Sequence, residues 1–207
     1  MAVPDQKDAW NKLYRSQTRQ WKGAVKTKIP LPFKKGDRVI DIGCGNGKTS
    51  AALIEEGCDV IGIDISEEAA EACRTIFGSK MRIECASAVS LPFDDGYADG
   101  VVMVHVLEHL TADEMEAAVK EVRRVLRLNG KLFVRVFHTD DMRSDKGERT
   151  DDRTVIRGNG IRYHYFDETE LNDLFGGFRR ISTERIDEAT KFRERRSRIE
   201  AVYEKMG

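Results

Sequence analysis

A short apolar run, Val39-Ile40-Asp41-Ile42, leads into glycines at three alternate positions, Gly43, Gly45 and Gly47, and then into Lys48-Thr49 and a patterned stretch. Glycine adopts dihedrals closed to other residues and lets a ligand lie against the main chain. A buried strand that ends in such a turn and restarts as a helix is the opening of a nucleotide-binding α/β unit.

The following residues keep that alternation. Residues 48–56 read as a helix stopped by Gly57, and 59–64 as a second strand. Ser66 can cap the next helix, which carries Ala69, Cys73, Ile76 and Phe77 on one face and stops at Gly78. Residues 81–85 and 100–104 read as the third and fourth strands, the latter apolar on both faces. Thr111 and Glu114 form a capping box for a helix whose apolar face is Met115, Ala118, Val119, Val122 and Leu126. Asn129-Gly130 turns into a fifth strand at 131–137. The pattern predicts an α/β fold: a parallel sheet with helices on both faces.

The flanks differ in texture. Residues 1–30 read as a helical segment in which Trp10, Tyr14 and Trp21 form either a lid or a docking face. Residues 138–166 read as a polar loop, a candidate substrate lid. Asp167 can cap a helix with Leu171, Leu174 and Phe175, followed by two alternating segments, 178–186 and 195–203, that read as an antiparallel pair. The expectation is one domain spanning 1–207, with residues 36–137 as its ligand-binding core.

At 207 residues a chain can bury roughly 70% of its unfolded surface without a metal or disulfide. With 35 Lys and Arg against 36 Asp and Glu, no global field favours nucleic acid or an anionic membrane. The four cysteines, Cys44, Cys58, Cys73 and Cys85, form no Cys-x-x-Cys pair and sit in apolar surroundings, which fits a reduced, cytoplasmic setting. There is no apolar leader and no run of about 18 apolar residues, so neither export nor a membrane span is expected.

The turn discriminates among ligands. A phosphate loop would place its first glycine at position 42, which is Ile42, so that reading fails. A dinucleotide turn would need its third glycine one residue beyond Gly47, and Asp41 would repel a pyrophosphate. S-adenosylmethionine carries an ammonium and a sulfonium and no phosphate, so an acid beside the glycines attracts it. Asp64, about twenty residues after the first glycine, suits both ribose hydroxyls but does not separate the two nucleoside cofactors. A tight turn without a ligand is the remaining alternative.

Further motifs follow in order: Gly62-Ile63-Asp64; Ala-Ser-Ala-Val-Ser-Leu-Pro-Phe-Asp over 86–94; Val106-Leu107-Glu108-His109-Leu110; and a stretch over 122–132 containing Asn129-Gly130. With the glycine turn, they make residues 36–137 resemble class I S-adenosylmethionine-dependent methyltransferases, especially the small-molecule branch. The resemblance implies a Rossmann-like three-layer sandwich with a seven-stranded sheet, order 3-2-1-4-5-7-6, strand 7 antiparallel. It also implies roles: Asp41, Gly43, Cys44, Gly45 and Gly47 around the methionine part, Asp64 on the ribose and Ile65 on the adenine. Ser87 and Ala88 would line the adenine edge, and Val104 and His105 would offer backbone groups near the amine and sulfur. Ser87 stands where many relatives have an acid, and Leu128-Asn129-Gly130 replaces the commoner Pro-Gly-Gly turn.

His105-Val106-Leu107-Glu108-His109 also matches the His-x-x-Glu-His zinc pattern, which needs a continuous helix. After a buried parallel strand a loop is expected instead, so no metal is assigned. If the acceptor arrives protonated, a base is needed; His138, Tyr163, His164 and Tyr165 are the candidates, being near strand ends. The acceptor is read as a small molecule. Lys191, Arg193, Arg195, Arg196 and Arg198 form a basic patch, and Arg162 to Leu171 faintly resembles tRNA wobble-uridine methyltransferases, so RNA is a second reading. A cofactor-binding scaffold without catalysis is a third.

Overall fold

The structure is a computed structural model and describes residues 5–16, 27, 30–190, 192 and 194–207. Strand β1 (Arg38–Ile42) is buried on both faces, which happens only in the middle of a covered sheet. It pairs in parallel with β2 (Asp59–Asp64) on one side and β4 (Ala98–Val104) on the other. β3 (Arg82–Cys85) lies outside β2, and β5 (Leu126–Phe137) outside β4, both parallel. The sheet is completed by a hairpin of β9 (Arg179–Ala189) and β10 (Arg195–Glu204), with β10 antiparallel to β5. The order is β3-β2-β1-β4-β5-β10-β9. Counted within this sheet alone, that is the expected 3-2-1-4-5-7-6.

Strand alternation assigns successive residues to opposite layers. Ile40, Ile61, Val101 and Leu132 pack under α4 (Ala112–Val125) and α5 (Glu168–Leu174). Val39, Val60, Val102 and Phe133 pack with Leu53 of α2 (Lys48–Glu55) and Cys73 of α3 (Glu67–Phe77). The helix starts follow their chemistry: Ser66 Oγ accepts from the Ala69 N–H at 3.2 Å, and Thr111 and Glu114 form a reciprocal capping box. Asp167 accepts from the Glu170 N–H at 2.8 Å to open α5.

Two segments depart from the sequence reading. β5 begins at Leu126, not after the Asn129-Gly130 turn, because the tail of β10 grips that turn. The Asn129 N–H donates to the Lys205 carbonyl at 3.0 Å, and the Lys205 N–H to the Gly130 carbonyl at 2.9 Å. The second departure is at 138–166, expected as a loop. It contains β6 (Glu148–Asp151), β7 (Thr154–Ile156) and β8 (Arg162–His164), an antiparallel sheet of order β6-β7-β8. These strands are three or four residues long and β6 is exposed throughout, so they leave no hydrophobic alternation to read. Helix α1 (Gln6–Ser16) covers part of the same end of the main sheet. Trp21, Lys191 and Arg193 lie outside the described residues. No described helix is long and apolar enough to cross a membrane.

Candidate functional site

The carboxyl ends of β1, β2, β4 and β5 open into a cavity of about 650 Å³, a size suited to a small ligand. Of the residues that the sequence assigns to a cofactor, Gly43, Cys44, Gly45, Asp64, Ile65, Ser87, Ala88, Val104 and His105 line it; Asp41 and Gly47 do not.

The turn's backbone donors are spent internally. The Gly43 and Cys44 N–H groups donate to the Ile63 carbonyl at 2.7 and 2.9 Å, and the Gly47 N–H to the Cys44 carbonyl at 2.8 Å. The Gly45 N–H donates to Asp64 Oδ2 at 2.9 Å, while Asp64 Oδ1 accepts from the Ser66 N–H at 2.9 Å. A phosphate cradle needs free N–H groups pointing at the ligand. These four amides supply none.

Asp41 sits elsewhere than expected. It is buried behind the turn, where Ser50 Oγ donates to its Oδ2 at 2.6 Å, so it ties the start of α2 to the end of β1. Burial is the main reason its carboxyl is pushed up to about 7; the Ser50 hydrogen bonds oppose this and the charge of Asp64 adds to it. Asp64 is raised as well, chiefly by burial, against the pull of its backbone donors. Gly47 has φ 81°, and a Cβ there would lie 2.1 Å from Cε2 of Phe77, so this glycine serves the packing of α3.

Asp64 lines this end of the cavity and Asp41 lies behind it, while the amides of Gly43, Cys44, Gly45 and Gly47 are turned to acceptors within the protein. With an acid in the lining and no phosphate cradle formed by these four amides, this end suits a cationic amino acid–nucleoside better than a phosphate-bearing nucleotide. Gly45 leaves room for the roof, since a Cβ there would lie 2.6 Å from the Tyr14 hydroxyl. Trp10, Leu13 and Tyr14 of α1 line the cavity, so this helix both docks and covers. It is pinned by Ser66 Oγ donating to Asn11 Oδ1 at 2.8 Å and by the Gln6 amide donating to the Gly160 carbonyl at 3.2 Å.

Beyond this end, His105 follows β4 in a left-handed conformation, φ 59°. Its Nδ1 lies 2.8 Å from Oε1 of the fully buried Glu108, which also accepts from the Phe137 N–H at 3.0 Å. The carboxylate dictates the tautomer: Nδ1 carries the proton and Nε2 the lone pair. Nε2 has no hydrogen bond among the described residues. Burial alone would raise Glu108, but His105 and the hydrogen bonds outweigh it and hold the carboxyl below its usual value. The ring of His105 stacks on Phe137 with centroids 4.1 Å apart. His109 turns away, its Nδ1 donating to the Arg162 carbonyl at 2.7 Å, and burial lowers its pKa. The helix that the zinc pattern requires is not formed: residues Leu107–His109 make a single 3-10 turn after His105.

The four base candidates separate. Tyr163 lines the cavity. His138 lies outside the lining, with Nδ1 accepting from the Asp140 N–H at 2.9 Å and Nε2 3.4 Å from Glu168. His164 is also outside, held between Thr154 Oγ1 and Glu170 Oε1, each at 2.8 Å. Tyr165 donates to the Arg143 carbonyl at 2.9 Å and is nearly fully buried away from the cavity. The sequence reading missed the side chain of His105, although the His-x-x-Glu spacing was its signal; only the 3-10 turn brings the pair together.

Residues 40–134 match the family described as Methyltransferase domain. The chain is 26% identical over 152 residues to the tRNA N(3)-cytidine methyltransferase METTL2 of Bos taurus, covering 67% of this chain and 40% of that protein. It is 30% identical over 110 residues to the O-methyltransferase resE of Aspergillus sclerotiorum, covering 50% of this chain and 41% of the relative. The chain thus spans about two fifths of the length of these curated relatives. A solved SAM-dependent methyltransferase from Methanosarcina mazei superposes with a TM-score of 0.75 at 25% identity, covering 84% of this chain and 94% of that one. By its sheet order, its glycine turn and these likenesses, the chain has the class I S-adenosylmethionine-dependent methyltransferase fold.

Proposed function

We propose that the chain methylates a small-molecule acceptor in this cavity, with His105 as the proton-accepting group. The observation that carries the reading is the glycine turn at one end of the cavity, its Gly43, Cys44, Gly45 and Gly47 amides spent internally and Asp64 beside it, with the His105–Glu108 pair beyond. When bound, S-adenosylmethionine supplies a methyl group already activated on a sulfonium, so the protein's tasks are alignment and exclusion of water. Gly43, Cys44 and Gly45 would face the amino-acid part. Asp64 would hold the ribose, and Ile65, Ser87 and Ala88 the adenine. His105 Nε2 takes the proton of an acceptor hydroxyl or amine, and Glu108 stabilises the imidazolium that results. Tyr163 serves as a wall and a hydrogen-bonding group rather than a base, because burial, its largest influence, pushes its pKa up against the opposing pull of Arg157.

The covering supports a small acceptor. Gln6 Oε1 accepts from the Arg162 N–H at 3.0 Å, and Trp10 packs edge-on against His109 with centroids 4.8 Å apart, so α1 and the β6–β8 sheet meet over the opening. The likeness to METTL2 favours RNA as a second reading. Against it, two arginines of the basic patch carry counter-charges: Arg195 pairs with Asp140 at 3.2 Å and Arg198 with Glu188 at 2.9 Å. Salt-sensitive tRNA binding would favour the RNA reading.

Calorimetric titration with S-adenosylmethionine, S-adenosylhomocysteine and NADH is the direct test. The first two are expected to bind and NADH to fail; NADH binding alone overturns the reading. Cofactor binding with no methyl loss across a broad acceptor panel points to a non-catalytic scaffold.

A further inference from the structure

Arg157 differs from Arg143, Arg135 and Arg198 of the cavity wall; Arg196, which also lines the cavity without a carboxylate within 4.0 Å among the described residues, is exposed to solvent, whereas Arg157 is half-buried. Arg143 chelates Asp141 through Nε and Nη2 at 2.6 and 2.9 Å. Arg135 holds Glu200 at 2.7 Å, and Arg198 holds Glu188 at 2.9 Å. Each brings its own counter-charge. Arg157 has no carboxylate within 4.0 Å among the described residues. Its guanidinium carbon lies 3.7 Å from the centroid of the Tyr163 ring, Nη2 donates to the Tyr165 hydroxyl at 2.9 Å, and its Nε is buried without a partner. A guanidinium has five donors, and one phenol with one ring face leaves most of them unmet. A partly buried cation without a counter-ion is costly unless a ligand supplies one.

The surroundings describe the rest of that ligand. Phe137 and Tyr163 are roughly parallel, with ring centroids 6.5 Å apart, and His109 meets Tyr163 edge-on at 4.9 Å. Phe137 is already covered by the His105 ring and by the Arg143 guanidinium, each 4.1 Å from its ring centroid, so Tyr163 is the flat wall beside the fork of N–H donors, which suits a planar body bearing an anionic group. Arg157 also starts the β7–β8 turn, whose Gly160 carbonyl is gripped by Gln6 of α1. This places Arg157 beneath the contact between α1 and the β7–β8 turn, a position that suits the anionic end of a small molecule.

We propose that the acceptor is a small, flat organic anion, its carboxylate or phosphate oxygens bound by Arg157 and its body lying against Tyr163. This rests on the methyltransferase reading of the same cavity. Arg157 acts on binding and orientation and is not the group that takes the proton.

The test uses the purified full chain saturated with S-adenosylhomocysteine and titrated with phenylacetate, phenyl phosphate and the neutral phenylacetamide, followed by calorimetry and thermal melting. At least one anion is expected to bind about tenfold or more tightly than the amide, the scale of a charge-assisted hydrogen bond. Whichever anion wins identifies the headgroup. Arg157→Gln should erase the preference while S-adenosylhomocysteine binding, which also reports folding, is retained; Arg157→Lys should keep part of it. Equal binding of amide and anions, no anion binding, or a preference that survives Arg157→Gln overturns the proposal. A tRNA stem-loop that binds through Arg157 overturns it in favour of RNA. If S-adenosylhomocysteine itself does not bind the wild-type chain, the methyltransferase reading fails and this inference with it; if it binds and the anions do not, only this inference fails.

Discussion

Asp41 carries charge where water cannot reach it, and that cost has a measurable sign. Its folded pKa, about 7, lies above the unfolded value of 3.8, mainly because burial penalises the charged form. The folded state therefore holds the proton more tightly. Its contribution to stability is complete below the unfolded value and is lost as pH rises towards 7, with a slope of up to about 1.4 kcal/mol per pH unit. Asp41→Asn, which keeps a hydrogen-bonding partner for Ser50, should flatten urea-melt stability between pH 4 and pH 7. It should also weaken S-adenosylmethionine at pH 8 by removing a nearby negative charge; a pH profile identical to wild type would refute the assignment. Glu108 acts one step from the reacting atoms, through His105. Glu108→Gln is expected to lower kcat about ten- to a hundredfold, leave cofactor affinity nearly intact and shift the acid limb of the pH–rate profile. A fall in cofactor affinity with unchanged kcat would instead mark Glu108 as structural.

Elements here take their positions from a few contacts across large separations in sequence. β10 is locked to β5 by Arg135 and Glu200, which face each other in register and pair at 2.7 Å with both side chains buried. Breaking a buried ion pair destabilises, and Glu200 also lies 3.3 Å from Arg198 Nε, so Glu200→Gln should cost about 3–5 kcal/mol in chemical denaturation. A loss below 1 kcal/mol would mean that Arg135 finds another partner. β9, the sheet edge, is largely exposed and charged, which protects an open edge against pairing with other chains. Helix α1 shows how an element's role escapes local pattern. Its one fully buried residue is Ala9, yet its half-buried Trp10 and Tyr14 shape the cavity. Their spacing predicts a face; it does not say that the face covers a ligand rather than more core.

At the scale of the whole molecule, the cavity draws on residues from α1 to β10, so a ligand that fills it should stabilise the chain globally. S-adenosylhomocysteine at about a hundred times its Kd is expected to add about 2.7 kcal/mol, a rise of several degrees in Tm. No rise would show that the cavity is not its site. The sequence alone determined the sheet's core and the glycine turn at the end of β1. Buried parallel strands, glycines with positive φ and helix caps are local constraints, written within a few residues of one another. The tertiary structure alone decided the rest. Asp41 and Gly47 belong to the loop's foundation because Ser50 and Phe77 pack behind them. His105 meets Glu108 because a 3-10 turn replaces a helix, and His138 and His164 are drawn out of the cavity by Glu168 and Glu170. Whether a polar side chain faces a ligand, a counter-charge or its own backbone depends on what the rest of the chain brings within about 3 Å, and no spacing along one strand encodes that.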